Sequence, residues 1–378
     1  MNRNRYSKPA KIILYVVFLT LAGCSHTNSL AVNTADEDIH NTADTDVILQ
    51  IQPPDPVMVY YEGQVRHIFF HPLVAWPEIA FTGSMKEHMM EWFVTADEYK
   101  KILFELYMAD YVLVHIDELY DVTYSDGVRT VTGKKALVPE GKKPIVLSID
   151  DLSYHKYMKE NGVVHRLVFD ENGEIAAWTD NGNGGEISYD LDVVTVLEDF
   201  IRKYPGFSIR GARGIIALTG YEGVLGYNTH ELDAPGYQEE VEKAIAVVNK
   251  LKELGWRFAS HSWGHPNLPT VSMTRFMSDT NRWDIEVRPI VGDTNLFIYP
   301  FGARLETQEN RHSVLRERDF YIFFGVGGGY GYSQFPGFIN INRRNIDGFY
   351  FREYRNRQYP EKLFDFEKVI DKESRGIR

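Results

Sequence analysis

An α/β fold built as a (β/α) barrel is predicted by three observations on this 378-residue chain. Short apolar runs alternate with amphipathic helical patterns over more than 250 residues, the arrangement that places parallel strands beneath crossover helices. Two of the runs, Ile145–Ile149 and Ile215–Leu218, are continuously apolar, as strands covered on both faces must be. Reactive side chains cluster just beyond strand ends, and barrels of this class collect their chemistry at the C-terminal ends of strands.

The elements follow in order. Val57–Tyr61 and His67–Phe70 are β-rich runs. Thr95 and Glu98 form a capping box, opening a helix with Tyr99, Ile102, Leu103, Leu106 and Tyr107 on one face. Tyr111–Ile116 reads as a strand, and Lys143-Pro144 precedes the buried strand Ile145–Ile149. The alternating stretch Val163–Thr179, turning at Glu171-Asn172-Gly173-Glu174, reads as a β-hairpin insertion. Leu191–Tyr204 is helical and stops at Pro205. Glu239–Leu254 is amphipathic and ends at Gly255. Phe258–Ser260, Phe297–Tyr299 and Tyr321–Phe324 complete the strands. The glycine-rich run from Gly325 to Gly331 lacks the pattern of a phosphate-binding loop and reads as an ordinary loop. No internal repeat is present.

Ahead of the barrel the chain has a different character. Arg3, Arg5, Lys8 and Lys11 precede an apolar stretch of about ten residues, Ile12–Leu21. That is too short to span a bilayer and suits the core of a secretory signal. It ends in Leu21-Ala22-Gly23-Cys24, which resembles the lipobox of bacterial lipoproteins, and Cys24 is the only cysteine of the chain. With no second thiol there is no disulfide framework, so Cys24 is expected to carry a lipid. The polar run to residue 55 reads as a disordered tether. The expected organisation is a signal over 1–24, a tether over 25–55 and one domain over 56–360, with an insertion at about 155–210. The protein is then extracytoplasmic and lipid-anchored to a bacterial membrane. A net charge of −12 argues against a nucleic-acid partner and against electrostatic attachment to anionic lipid.

Three strand ends carry the chemistry. One ends in Asp150-Asp151, the next in His261-Ser262-Trp263-Gly264-His265-Pro266, the third in Pro300-Phe301-Gly302. A carboxylate pair after a strand is also what a turn or a helix cap looks like, and an HxxxH pair alone is only a fair metal signal. Together they amount to more. Two histidines and one carboxylate leave a coordination position open, a second carboxylate can act as base, and the Phe301 N–H can donate to a developing oxyanion. That set suits metal-assisted hydrolysis of an amide or ester.

The order SIDD, HSWGHP, YPFG along a βα chain resembles the first three motifs of the polysaccharide deacetylase (NodB-homology) family, carbohydrate esterase family 4, over about residues 54–350. The resemblance implies a distorted barrel of seven strands. It implies Asp151, His261 and His265 as ligands of a divalent metal, usually Zn2+ and sometimes Co2+ or Ni2+, with Asp150 as base. The substrate would be an N-acetylated polysaccharide of the peptidoglycan or poly-N-acetylglucosamine type. Two departures stand out. The family commonly carries an arginine just before the third motif, where this chain has Ile298; Arg343 or Arg344 could supply that charge, though Ile341–Asn345 also reads as a solvated basic turn. The usual acid histidine near the C-terminus is missing, since the last histidine, His312, falls in an expected surface helix. A circularly permuted branch of the family supplies this residue ahead of the carboxylate motif, and His71 fits that place, with His67 and His155 as weaker substitutes. Trp263 and Tyr221 are the candidates for stacking on a sugar. Two rival functions remain open: a non-catalytic glycan-binding lipoprotein, and an amidase or esterase for a small molecule.

Overall fold

The computed structural model describes residues 56–327, 329–355 and 362–377, all within one compact unit, Asp55–Arg378. The expected signal, Cys24 and the tether lie outside the described residues. No helix among those described is long and apolar enough to cross a membrane.

Seven parallel strands close a ring: β1 (Arg66–Phe70), β2 (Lys143–Ile149), β3 (Ile215–Leu218), β4 (Arg257–Ser260), β5 (Leu296–Ile298), β6 (Ile322–Val326) and β7 (Phe338–Asn345). Each pairs with its successor in the chain. The ring is shut by β7 against β1, where Arg344 faces Ile68 and Asn345 faces Phe69. Tyr111–Leu113 joins the first half of β2 from outside, leaving the second half of that edge to β3.

The apolar runs alternate in destination. Val146, Ile215, Ala217, Ala259, Ile298, Phe324 and Ile341 fill the barrel. Leu147, Ile149, Ile216 and Leu218 point outward beneath the helices. Both faces are therefore dry, which explains why these strands look continuously hydrophobic.

Two helices anchor the layer outside. α1 (Ala96–Met108) begins with the capping box, both halves of which are formed by Thr95 and Glu98, worth about 1 kcal/mol for such a cap. α2 (Tyr237–Leu254) stops at Gly255 with φ 109°, a left-handed conformation that glycine adopts at little cost. The insertion is three-stranded, adding Glu186–Ser188 to the hairpin Arg166–Phe169/Ile175–Thr179.

Several expectations are corrected. Ile341–Asn345 is no solvated turn but the end of β7, and Arg343 within it is 2% exposed. His312 does lie on a helix, Asn310–Glu317, but its ring is fully buried between Phe323 and Phe338. The strand at Tyr111 ends at Leu113 rather than Ile116, where a short 3-10 turn begins.

Candidate metal-hydrolase site

The C-terminal ends of β1, β2, β4, β5 and β7 open into one cavity of about 630 Å³. A larger hollow of about 810 Å³ lies at the other end of the barrel, at the start of β4 and β5. Its acids are tied up in the pairs Arg257–Asp117 and Arg288–Asp284, as suits the face of a barrel that serves stability.

β2 delivers Asp150 and Asp151 to different neighbours. Asp150 is buried and receives both arms of Arg343, Nη1 to Oδ1 at 2.7 Å and Nη2 to Oδ2 at 2.8 Å. The guanidinium also donates to Ser148 Oγ at 2.9 Å and lies 4.2 Å over the Phe69 ring. Burial pushes the Asp150 carboxyl upward, but Arg343 and His261 outweigh it and hold it below the usual range. The charge expected from an arginine ahead of the Pro300 turn thus arrives from β7.

Asp151 turns the other way because its backbone is left-handed, φ 59°. One oxygen of Asp151, one nitrogen of His261 and one of His265 all lie within 4.8 Å of one another. His261 Nδ1 donates to the Ile298 carbonyl at 2.8 Å. A carbonyl can only accept, so Nδ1 carries a proton and Nε2 is the nitrogen left to face a ligand, the arrangement by which proteins orient ligating imidazoles. Burial lowers His265 to about 4, partly opposed by Asp151, and so favours its neutral, ligating form. Burial also acts on Asp151, upward, but His265 and His155 hold it well below the carboxylate range. A carboxylate oxygen and two imidazole nitrogens fit a divalent cation such as zinc.

Left-handed backbone recurs through the site, at Asp151, Ser262, His265 and Phe301. Such conformations cost about 1–3 kcal/mol each and persist only where the surroundings enforce them. For the histidine loop, the enforcing group is Asp279, which accepts from the N–H of Trp263 at 3.0 Å and of Gly264 at 2.7 Å. At the Pro300 turn, Phe301 (φ 58°) is followed by Gly302 (φ 65°), where a Cβ would fall 2.4 Å from Val326. No described hydrogen bond occupies the Phe301 N–H, and its ring meets His265 edge-on at 4.5 Å.

His71 follows β1 and lines the same cavity. Its Nδ1 donates to the Trp92 carbonyl at 2.9 Å, and Nε2 has no hydrogen-bond partner among the described residues. His67 points elsewhere, buried with its pKa lowered to about 3 by burial and then by Arg343. His155 is buried beneath Tyr221, with rings 4.4 Å apart and nearly parallel. Its Nε2 lies 3.3 Å from Asp151 Oδ1 and its Nδ1 3.5 Å from Glu222. Burial would lower this imidazole, but the two acids raise it to about 9.

The aromatic candidates part company. Tyr221 lines the cavity, as do Trp92, Tyr157 and Phe349. Trp263 does not: its indole donates to Glu286 at 2.7 Å and is covered by Arg282 at 3.3 Å, so it holds the loop instead of offering a stacking face. Asp279 and Glu222 were the site residues not anticipated from the sequence, whereas Arg343 was one of two arginines considered as the source of the charge beside Asp150. Asp279 and Glu222 are single acids in polar segments, with no spacing that marks them.

Fold and site together define a parallel βα barrel whose strand ends carry a two-histidine, one-carboxylate cluster beside a second, arginine-paired carboxylate. Residues 236–316 match the family model described as Polysaccharide deacetylase. That span includes His261, His265 and Phe301, but not His71, Asp150, Asp151 or Arg343. No curated protein matches the chain. Among solved structures, BA0330 of Bacillus anthracis, described as a candidate polysaccharide deacetylase, is 12% identical over 82% of this chain and 69% of its own, with a TM-score of 0.44. The deacetylase PplD of Streptococcus pyogenes, solved with acetate, is 15% identical over 78% and 94%, TM-score 0.41. IcaB of Ammonifex degensii is 13% identical over 75% and 91%, TM-score 0.40. These likenesses are too distant to bear on the site, which stands on its own residues.

Proposed function

We propose that this protein is a metal-dependent hydrolase that removes the N-acetyl group from an envelope or extracellular glycan and releases acetate. The observation that carries the reading is the division of labour at the end of β2: Asp150 is clamped by Arg343, while its neighbour Asp151 faces His261 and His265.

Asp151, His261 and His265 would hold the ion, Zn2+ first with Co2+ or Ni2+ as alternatives. A bound divalent ion supplies Lewis acidity, easing deprotonation of water and polarising a carbonyl. Asp150 accepts the proton of the attacking water, and Arg343 keeps that carboxylate ionised and aimed. The Phe301 N–H donates to the carbonyl oxygen as negative charge builds on it. His71, fixed through Nδ1, presents Nε2 to the leaving nitrogen and protonates it as the C–N bond breaks. Tyr157, Tyr221 and the Trp92–Phe349 pair, stacked 5.8 Å apart, supply ring faces and hydroxyls to a sugar.

The test pairs metal analysis of purified protein with acetate release from N-acetylglucosamine oligomers and from peptidoglycan, with and without a chelator. Chelator-sensitive acetate release is expected. Bound metal with no acetate from any glycan would point to a small-molecule amidase or esterase, and no bound metal to a glycan-binding role. Attachment through lipidated Cys24, outside the cytoplasm, is part of the same proposal. Cys24→Ser should move the protein from the detergent phase to the aqueous phase on partitioning; unchanged partitioning would refute the anchor.

A further inference from the structure

Arg375 is a buried cation that the chemistry above does not use. Its Nε and Nη2 donate to the two oxygens of Glu98 at 2.6 and 2.8 Å, Nη1 to the Met90 carbonyl at 2.8 Å, and Nη2 to the Phe93 carbonyl at 2.8 Å. Glu98 is fully buried and also accepts from Thr95 N–H at the head of α1. Buried ion pairs contribute little to net stability but fix geometry when every donor is satisfied. What this one fixes is the short segment Met90–Phe93, held at both ends by one planar guanidinium. Within that segment lies Trp92, whose carbonyl receives His71 Nδ1. The segment cannot retreat either: a Cβ at Gly348 would fall 1.8 Å from the Met90 carbonyl oxygen, so backbone packs directly behind it.

We propose that Arg375 is a positioning residue for His71, acting through the Met90–Phe93 backbone. The inference rests on the reading of His71 as the acid, and its test separates the two. Arg375→Met should lower kcat for acetate release from N-acetylglucosamine oligomers by about tenfold, the scale of a sub-ångström misplacement of a reacting group, with KM within twofold and bound metal unchanged. Arg375→Lys, which keeps the charge but cannot reach four acceptors at once, should fall between Arg375→Met and wild type. On a His71→Asn background, Arg375→Met should cost nothing more; multiplicative losses would overturn the proposal. If His71→Asn itself keeps full turnover, the acid reading fails, and a second measurement still judges Arg375. The hydrogen-bonded His71 Nδ1–H resonance, assigned by its loss in His71→Asn, should shift or broaden in Arg375→Met while the His261 Nδ1–H resonance stays. An unmoved His71 resonance refutes the positioning role. Should Arg375→Met fail to fold, Arg375→Lys and the pair Glu98→Gln/Arg375→Met, which keeps the cap acceptor and leaves no unpaired charge, carry both measurements.

Discussion

The two walls of the cavity are built on opposite principles. On the side of β2 and β4, Asp150, Asp151 and His261 are buried and ion-paired or hydrogen-bonded, and Asp151, Ser262 and His265 sit on left-handed backbone. On the side of β1, His71 and Trp92 are partly open to solvent and surrounded by rings. The first wall has electrostatics to defend, since a charge or lone pair out of place there is costly in a dry environment. The second, on the proposed reading, has a polymeric glycan to admit, and apolar rings tolerate variation in what slides past them. Precision at the first wall comes from direct contacts; at the second it is relayed from further away.

Substitutions should therefore fall into two sorts. The largest effect is expected at Arg343→Met, which strands Asp150 as a buried, unpaired carboxylate. Turnover should drop about 10²–10⁴-fold, as for loss of a general base, and unfolding free energy by about 3–5 kcal/mol, read by acetate release and urea denaturation. Asp150→Asn should match that loss of turnover while keeping metal. Next comes His155→Gln, which removes the contact to Asp151 Oδ1. Metal affinity should fall about 10–100-fold, measured by competition with a chromophoric chelator; unchanged affinity would make His155 a mere packing residue. Trp92→Ala leaves the backbone carbonyl in place, so KM should rise by about two- to tenfold for a lost stacking contact, with kcat nearly constant. A large drop in kcat there would erase the contrast between the walls.

The smallest effect concerns pH and lies away from the site. Burial first, and Arg316 second, depress His312 from 6.5 to about 4, and neither ring nitrogen has a hydrogen-bond partner among the described residues. The fold therefore favours the neutral ring. The resulting stability is complete above pH 6.5 and is lost as pH falls from 6.5 towards 4, where the unfolded chain takes up a proton and the native chain does not. His312→Leu should flatten thermal stability across that window, while leaving acetate release unchanged near neutral pH.

Most of the barrel was legible because its strands are dry on both faces and its helices are capped by recognisable residues. The capping box at Thr95 and the stop at Gly255 formed as their chemistry demands. The hairpin Tyr120–Ser125/Val128–Gly133 carried a signal that was not read: Asp126-Gly127, both at positive φ, is a favoured two-residue turn. β7 was harder. Phe338–Asn345 carries asparagines and arginines where a buried strand ordinarily carries aliphatics, and the composition looks solvated. The sequence left Arg343 between a partner for the acid and a solvated turn, and the tertiary structure decides for the acid. The same limit applies to Asp279 and Glu222, whose roles depend on loops folding over them. His312 misled for a related reason, since a helix rich in charge still turns one face inward.

The pairing of Asp150 with Arg343 joins residues separated by 193 positions, one at the end of the second strand of the ring and one near the end of the last. A chain emerging from the ribosome, or one whose ring has not yet shut, has the motif but not the partner that holds Asp150 ionised. On the proposed reading, the site is complete only once the ring has shut. If the proposed deacetylase is exported before it folds, such a dependence would keep it from acting in the wrong compartment.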